Sequence, residues 1–266
     1  MDLSGRTALL TGATGGLGRA IARSLSGRGA TLLLSARKQE ALEALAAALP
    51  GEHRVLPADL AAEGAAEQLA AAAAGAEILV ANAGLPAAGR MEDFTPEQVK
   101  RALRVNLESP MLLAQALYPA MLERRSGHLV FISSLAGKAP APRSSIYSAT
   151  KFGLRGFALS LRTDLAPQGV GVSLVSPGFI REAGMFAESG ASSPAGLGTA
   201  TPEQVAEATV KAIEADKVEI AVAPAQQRFL AHFGLANPGV AVKVSSGSAG
   251  QKSAAEIADG HSKDKR

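Results

Sequence analysis

A tyrosine and a lysine four residues apart indicate proton-transfer chemistry in the middle of the chain. Tyr147 and Lys151 lie within residues 144–151, a stretch that is typical of the start of a helix. Positions i and i+4 of a helix share one face, so the phenol and the ammonium can point at a common spot. A unit positive charge about 4 Å away contributes roughly 4 kcal/mol at an effective dielectric constant near 20. We therefore expect Lys151 to lower the pKa of Tyr147 toward the range in which general acid–base catalysis is efficient.

A serine at the end of an apolar segment could complete this group. Residues 129–132 are predicted to form a buried strand that ends at Ser133 and Ser134, and Ser134 lies thirteen residues before Tyr147. In identity and spacing, Ser134, Tyr147 and Lys151 resemble the Ser and Tyr-x-x-x-Lys signature of the short-chain dehydrogenase/reductase family. The alternative is a strand-end serine beside an unrelated pair on a solvated helix face.

A glycine-rich turn lies near the start of the chain, between a predicted strand at residues 7–10 and a predicted helix at 19–25. Such a turn lets backbone N–H groups approach a pyrophosphate at the helix N-terminus, where the helix dipole favours anions. The spacing differs from G-x-G-x-x-G but resembles the T-G-x-x-x-G-x-G form of the same family. The resemblance implies cofactor contacts in this turn at Gly12, Thr14, Gly15, Gly16, Leu17 and Gly18.

The residues after the second predicted strand, 31–35, favour NADP(H) over NAD(H). NAD-binding sites commonly place an acidic side chain there to bind the ribose 2′-hydroxyl, and this chain has Ala36. Arg37 and Lys38 follow, and an arginine can bind phosphate oxygens with charge-assisted hydrogen bonds. Two observations leave this open: Gly15 stands where NADP-dependent relatives often have a basic residue, and both cations could merely begin a solvated helix.

Three further motifs resemble the family's cofactor contacts. They follow the predicted strands at residues 53–56, 78–81 and 170–175. Asp59 would contact the adenine edge or cap the next helix, and Glu182 departs from the family's usual threonine, which puts one carboxamide contact in doubt. The implied contacts are Asp59, Leu60, Asn82, Ala83, Gly84, Tyr147, Lys151, Pro177, Gly178 and Ile180.

Asn106 is the fourth candidate catalytic residue. It lies in a helix that begins with a predicted capping box at Thr95, and the same box recurs at Thr201. Pro110 has no N–H for the Asn106 carbonyl, so a kink is expected. The resemblance implies that this asparagine holds a water linking Lys151 to solvent; the alternative is a kink without a catalytic role.

Strands and helices alternate along the 266 residues, of which 47% are hydrophobic. This order predicts an α/β fold, a doubly wound, mostly parallel sheet of the Rossmann type with helices on both faces. We expect one domain over residues 1–244. The polar composition of residues 245–266 predicts a disordered tail whose removal leaves activity intact.

Composition argues against several other classes of protein. The chain has no cysteine and four scattered histidines, so disulfides and a metal site are not expected. The net charge of +3 is not gathered into a stripe, which disfavours nucleic-acid binding. The most apolar stretch, residues 105–122, is interrupted by polar residues and prolines, so no integral membrane segment is expected. The first strand begins close to Met1, leaving no room for a signal peptide, and a cytoplasmic location is expected.

The resemblance implies an oxidoreductase that transfers hydride between NADP(H) and a carbonyl or alcohol, with Tyr147 as general acid and base. One alternative is a catalytically silent NADP(H)-binding regulator or scaffold. Another is a nucleotide-sugar epimerase or dehydratase, for which this chain lacks a large C-terminal domain. Residues 229–242 are predicted to cover the substrate cleft or a subunit interface, and peripheral membrane contact is a further alternative. A small apolar substrate is favoured by residues near the expected pocket: Leu135, Ala136, Pro140, Phe179, Met185 and Phe186.

Two helices carry more apolar side chains than one sheet face can bury, which indicates self-association. The resemblance also implies a homodimer or homotetramer that pairs these helices. The residues concerned are Met111, Leu112, Leu113, Ala116, Leu117, Leu154, Phe157, Ala158 and Leu161.

Overall fold

Seven parallel strands form the central sheet of the computed structural model, which describes residues 1–191, 193 and 196–261. The strand order is β3-β2-β1-β4-β5-β6-β7. The chain runs outward from β1 to β3 and then crosses back to β4 on the other side of β1. The carboxyl ends of β1 and β4 therefore flank the switch point at which such sheets bind ligands. The strands are β1 (Thr7–Thr11), β2 (Thr31–Ser35), β3 (Arg54–Val55), β4 (Ile78–Ala81), β5 (Gly127–Ile132), β6 (Val170–Pro177) and β7 (Glu219–Val222).

Helices cover both faces of this sheet, which confirms the predicted Rossmann architecture. One layer contains α1, α2 and α8, and the other contains α3, α5 and α6. The helices are α1 (Gly16–Ser26), α2 (Gln39–Ala47), α3 (Ala65–Ala72), α4 (Pro96–Leu103), α5 (Ser109–Arg124), α6 (Ser145–Leu165), α7 (Met185–Glu188), α8 (Pro202–Glu214), α9 (Ala225–Ala236), α10 (Pro238–Ser245) and α11 (Ser248–Asp259).

The strands read as continuous apolar runs because helices bury the sheet on both faces. Along β1, Leu9 packs toward the α3–α5–α6 layer and Leu10 toward the α1–α2–α8 layer. In β4, Leu79 and Val80 divide in the same way, and all four side chains are fully buried. The core therefore lies on both sides of the sheet and fixes the ends of its strands.

Helices α1 and α8 pack against each other although they are far apart in sequence. Ile21 and Val205 are fully buried in the core they share. At the surface, the Ser24 hydroxyl donates to Glu207 at 2.6 Å, and Arg28 makes an ion pair with the same carboxylate at 2.7 Å. The first helix is thus joined to one that the chain reaches some 180 residues later.

Both predicted capping boxes are present. The Thr201 hydroxyl accepts from the Gln204 N–H at 3.2 Å, and the Gln204 side chain accepts from the Thr201 N–H at 2.9 Å. Thr95 and Gln98 make the same exchange at the start of α4. The predicted kink before Pro110 takes the form of a π-helical turn, Arg104–Glu108, between α4 and α5.

The predicted disorder beyond Ser245 is wrong for the part of this segment that the structure describes, because residues 248–259 form α11. Alanine, a strong helix former, recurs through this segment, and Ala254 and Ala258 are buried one turn apart. The polar composition concealed this small-residue face. Residues 262–266, the end of the predicted tail, lie outside the described residues.

Sheet packing accounts for four of the nine apolar side chains from which self-association is predicted. Leu113, Leu117, Leu154 and Ala158 are no more than 4% exposed and belong to the core under α5 and α6. These four side chains are therefore covered by the sheet and add no apolar surface for self-association. Met111, at 37% exposed, is available at the surface, so self-association through the outer faces of these helices stays a prediction.

Candidate active site

A cleft of about 1270 Å³ opens at the carboxyl ends of the strands. It gathers every predicted site residue except Asn106, although these residues come from seven separate parts of the chain. The predicted residues that line it are Gly12, Thr14, Gly15, Gly16, Leu17, Gly18, Arg37, Asp59, Leu60, Asn82, Ala83, Gly84, Ser134, Tyr147, Lys151, Pro177, Gly178 and Ile180.

The glycine turn forms one wall of the cleft. Gly12 has φ +65°, and a Cβ at this position would lie 2.9 Å from the Ala83 Cα, so only glycine fits. A Cβ on Gly18 would lie 2.1 Å from the Gly12 carbonyl oxygen. Because glycine has no Cβ, the first turn of α1 can pack closely against the loop. The N-terminus of α1 therefore faces the cleft with its unpaired N–H groups.

Thr11 joins the two strands at the switch point. Its hydroxyl accepts from the backbone N–H groups of Asn82 and Ala83, each at 3.0 Å. The Asn82 amide donates in return to the carbonyls of Thr11 and Gly12, at 3.0 and 3.2 Å. This exchange fixes the glycine turn against the end of β4, where the two walls of the cleft meet.

Ser134, Tyr147 and Lys151 converge on the opposite wall. Ser134 follows β5, where its hydroxyl accepts from the Ala136 N–H at 3.1 Å and hydrogen-bonds Tyr147. Tyr147 and Lys151 project from the first turns of α6. Gly137 permits this approach, because a Cβ there would lie 2.7 Å from the Lys151 carbonyl oxygen. The predicted triad is therefore assembled in space.

The pKa of Tyr147 differs from the sequence-based expectation. Burial raises the pKa of the phenol, and the hydrogen bond with Ser134 only partly opposes this. The Lys151 ammonium lies 5.6 Å from the ring centroid and donates to the Ile132 carbonyl at 3.0 Å. Burial also lowers the pKa of Lys151 to about 8. Desolvation thus sets the direction of both shifts, and the phenol stays protonated at neutral pH.

Asn106 lies behind the cleft wall and is fully buried. Its side-chain oxygen accepts from the Leu85 N–H at 2.6 Å, and its amide donates to the Leu85 carbonyl at 2.9 Å and to the Thr150 hydroxyl at 3.4 Å. The Asn106 side chain therefore connects the segment after Gly84 to α6 through hydrogen bonds. Any share in a proton path would have to run through its main-chain carbonyl, which lacks an i+4 donor at Pro110.

The end of the cleft beside β2 carries two exposed cations. Arg37 and Lys38 line it beside Ala36, with no carboxylate at the end of β2. Asp59 lines it as well, and its carboxylate accepts from the Ala61 N–H at 3.1 Å. Asp59 is not the helix cap considered above, because α3 begins later, with Gly64 as its N-cap.

The other end of the cleft is apolar. All six side chains expected there line it, and the rings of Phe179 and Phe186 lie 4.8 Å apart. Glu182, by contrast, turns away: it pairs with Arg181 at 2.8 Å, is 62% exposed, and has φ +71°. The Glu182 side chain therefore does not supply the carboxamide contact that the family's usual threonine would make.

Two groups of cleft residues escaped the sequence analysis. Arg101 of α4 lines the cleft, as do Ile257 and His261 at the C-terminal end. His261 contacts the Met185 carbonyl with Nε2 at 2.9 Å, and Gly260 packs against Ser189. The alanine spacing of α11 could have indicated a packed helix, but no local pattern indicates what it packs on.

A buried ionic cluster behind the cleft was also missed. Lys138, 2% exposed, lies 3.1 Å from Glu219, which also pairs with Arg155 at 3.3 Å and accepts from the Ser176 hydroxyl at 3.0 Å. The cluster joins the Ser134 loop to α6, β6 and β7. Burial raises the pKa of Glu219, but the hydrogen bonds and positive charges of Arg155 and Lys138 outweigh this effect and hold the pKa below its ordinary value.

Comparisons with known proteins agree with this geometry. A family model described as short chain dehydrogenase matches residues 6–194. The ketoacyl reductase HetN of Nostoc sp. is 35% identical over 227 residues, which cover 83% of this chain and 79% of that protein. A solved metagenomic short-chain oxidoreductase in complex with NADP is 35% identical, with a TM-score of 0.70 and coverage of 84% of this chain and 98% of its own. A short-chain dehydrogenase from Sphingobium yanoikuyae, solved with NADPH, is 27% identical, with a TM-score of 0.77 and coverage of 88% and 94%.

Proposed function

Because the chain belongs to the short-chain dehydrogenase/reductase family, we propose that it is an NADP(H)-dependent carbonyl reductase with Tyr147 as its general acid. One observation carries this proposal. The Tyr147 phenol lines the cleft, hydrogen-bonds Ser134, and has a pKa that burial raises above its ordinary value. A phenol that stays protonated at neutral pH can donate its proton to a carbonyl oxygen.

The residues of the cleft fit a dinucleotide. The glycine turn and the N-terminus of α1 would hold its pyrophosphate, and Asn82 to Gly84 would flank its central part. When bound, the nicotinamide supplies the hydride. In this arrangement Tyr147 protonates the carbonyl oxygen, and Ser134 donates a second hydrogen bond to it. Lys151 would hold the ribose hydroxyls, and Asn106 positions the segment that carries Leu85.

Two observations support NADP(H) as the cofactor. Ala36 leaves the end of β2 without the carboxylate that would repel a 2′-phosphate, and the exposed Arg37 and Lys38 supply positive charge at that end of the cleft. Relatives of the same fold have been solved with NADP and with NADPH.

The substrate we propose is an apolar ketone or aldehyde. Phe179, Met185 and Phe186 line the same cleft as the triad, and so do Leu230 and Phe233 of α9. A lining of this kind favours a substrate whose carbonyl reaches Tyr147 while its apolar part is desolvated. The name of the Nostoc relative, a ketoacyl reductase, is compatible with this chemistry.

The test is NADPH oxidation by the purified protein with a panel of apolar ketones and aldehydes, in parallel with a direct measurement of NADPH binding. Turnover that Tyr147→Phe removes while NADPH binding persists is the expected result. Binding of NADPH without turnover of any carbonyl would instead favour the silent regulator or scaffold.

A further inference from the structure

The helix pair α9–α10 exposes an unusual number of large apolar side chains. Of the twelve such side chains among the described residues, seven lie within residues 229–244, each at least 40% exposed. On α9 they are Phe229, Leu230, Phe233 and Leu235, and on α10 they are Val240, Val242 and Val244. We call these seven residues the α9–α10 face.

Folding of this chain does not account for that face. Helix α10 has no buried residue, and α9 buries only Gln227, Ala231 and Gly234. These contacts suffice to attach the pair: Gln227 donates to the Gly198 carbonyl at 2.8 Å, and Gly234 packs against Ala139 and Ala241. The seven apolar side chains stay at least 40% exposed beside this attachment, and Leu235 and Val242 do not line the cleft. A contiguous exposed apolar patch of this kind marks an interaction surface.

The charged side chains carried by α9 and α10 are all cationic. Residues 220–255 contain Arg228, Lys243 and Lys252 but no aspartate or glutamate. All three cations are exposed, and Arg228 and Lys243 stand on α9 and α10 themselves. Two copies of this chain meeting through the face would bring like charges together, which opposes association. An anionic partner would be complementary to the cations. If the partner also has an apolar part, that part would be complementary to the apolar side chains of the α9–α10 face.

We propose that the α9–α10 face docks on the surface of a lipid bilayer that contains anionic lipids. An apolar helix face flanked by lysine and arginine lies at the boundary between headgroups and acyl chains, and each nearby cation adds attraction to anionic headgroups. The docking is peripheral. Within the part of the chain that the structure describes, no helix is long and apolar enough to cross a membrane.

The same helices connect this surface to the cleft. Five of the seven residues of the face also line the cleft: Phe229, Leu230, Phe233, Val240 and Val244. A carbonyl compound dissolved in the bilayer would therefore enter the cleft along apolar side chains without crossing water. This extension rests on the proposed reductase function, whereas the docking itself does not.

Sedimentation of the full chain with vesicles tests the docking. Neutral phosphatidylcholine vesicles are compared with vesicles that also contain phosphatidylglycerol. We expect binding to the anionic vesicles that weakens with added salt. The double variant Leu235→Glu/Val242→Glu should lower the vesicle affinity at least tenfold, because neither residue lines the cleft and both are exposed. Val218→Glu is the matched control, since Val218 is 46% exposed at the opposite end of β7 and should bind as the unmodified protein does.

Other outcomes overturn the proposal. No binding to anionic vesicles, or equal loss of affinity in the Val218→Glu control, would remove the docking surface. Equal binding to both vesicle types would remove the role assigned to the cations. If light scattering shows that Leu235→Glu/Val242→Glu halves the mass of a soluble oligomer, the face joins two copies of the chain instead.

A separate measurement tests delivery of the substrate. Anionic vesicles should raise the rate with a ketone that partitions into lipid but not with a water-soluble one, and the double variant should lose only this increase. Docking without any such increase would refute delivery while leaving docking intact. Absence of turnover with both ketones would instead refute the proposed function.

Discussion

The Nζ atom of Lys151 lies 5.6 Å from the centroid of the Tyr147 ring, over the face of the phenol. Both groups are drawn out of water, so burial raises the pKa of the phenol and lowers that of the ammonium to about 8. Each shift favours the neutral form. The pair is therefore set to donate a proton from the phenol rather than to hold a phenolate at neutral pH.

Removal of the phenol hydroxyl should separate proton transfer from cofactor binding. Tyr147→Phe keeps the ring but has no proton to donate, so kcat should fall by about 10²–10⁴-fold, with the Kd for NADPH changed little. Tyr118→Phe is the matched control, because Tyr118 on α5 is partly buried at the α3–α5–α6 core and does not line the cleft. Comparable rates for Tyr147→Phe and Tyr118→Phe would contradict the assigned acid.

The pH dependence should report Lys151. Its ammonium is charged below a pKa of about 8 and neutral above it. The proposed hold on the ribose therefore weakens as pH rises, and kcat/KM for NADPH, which reports groups of the free enzyme, should fall through pH about 8. Lys151→Met should be slower and lose this inflection. An unmodified enzyme whose kcat/KM is flat through this range would refute the role of the lysine.

Cofactor preference should depend on the end of β2. Ala36→Asp with Arg37→Ile places a carboxylate near the 2′-phosphate and removes the cation, and an arginine–phosphate pair contributes about 1.5–3 kcal/mol. The ratio of kcat/KM for NADPH to kcat/KM for NADH should thus fall by about tenfold to a hundredfold. Arg54→Ile is the control, since Arg54 is exposed on β3 and does not line the cleft. Preference for NADH by the unmodified protein would overturn the assignment.

The buried ionic cluster should matter for stability. In Glu219→Gln, Lys138 and Arg155 would keep their charges without a partner, and breaking a buried pair costs about 3–5 kcal/mol. Urea unfolding should show a loss of this order, against a negligible change for Glu123→Gln, which is exposed near the end of α5. Lys138→Met/Glu219→Leu should lose less than Glu219→Gln. A loss below about 1 kcal/mol, as for an exposed pair, would show that the cluster is solvated.

The C-terminal helix should support the substrate side of the cleft. A Cβ on Gly260 would lie 1.8 Å from the Ser189 carbonyl oxygen, so Gly260→Ala forces α11 away from the segment after α7. Amide exchange across Met185–Glu188 should accelerate, and KM for the carbonyl substrate should rise several-fold. Gly239→Ala is the matched control because nothing lies within 4 Å of its Cβ position. Removal of residues 246–266 should impair activity further, in contrast to the tail that composition predicts.

Sequence reasoning succeeded where one segment carries the information. The Gly12 turn, the Tyr147–Lys151 spacing and the capping box at Thr95 are each local, and the structure contains all three. It failed where a property depends on surroundings. The pKa of Tyr147 is set by how deeply the ring is buried, and Lys138 meets Glu219 only because β7 completes the sheet. The spacing of residues along the chain predicts neither the burial of Tyr147 nor the contact between Lys138 and Glu219.

The packing of α1 against α8 has a consequence for the order in which the chain can fold. During synthesis, the apolar side of α1, with Ile21 and Leu25, emerges long before Val205 and Ile213 exist to cover it. Closing so long a loop is entropically unfavourable, and folds dominated by such distant contacts form slowly. In a nascent chain, the apolar side of α1 would stay exposed until α8 has left the ribosome. A truncation within α8 would leave this apolar side exposed permanently.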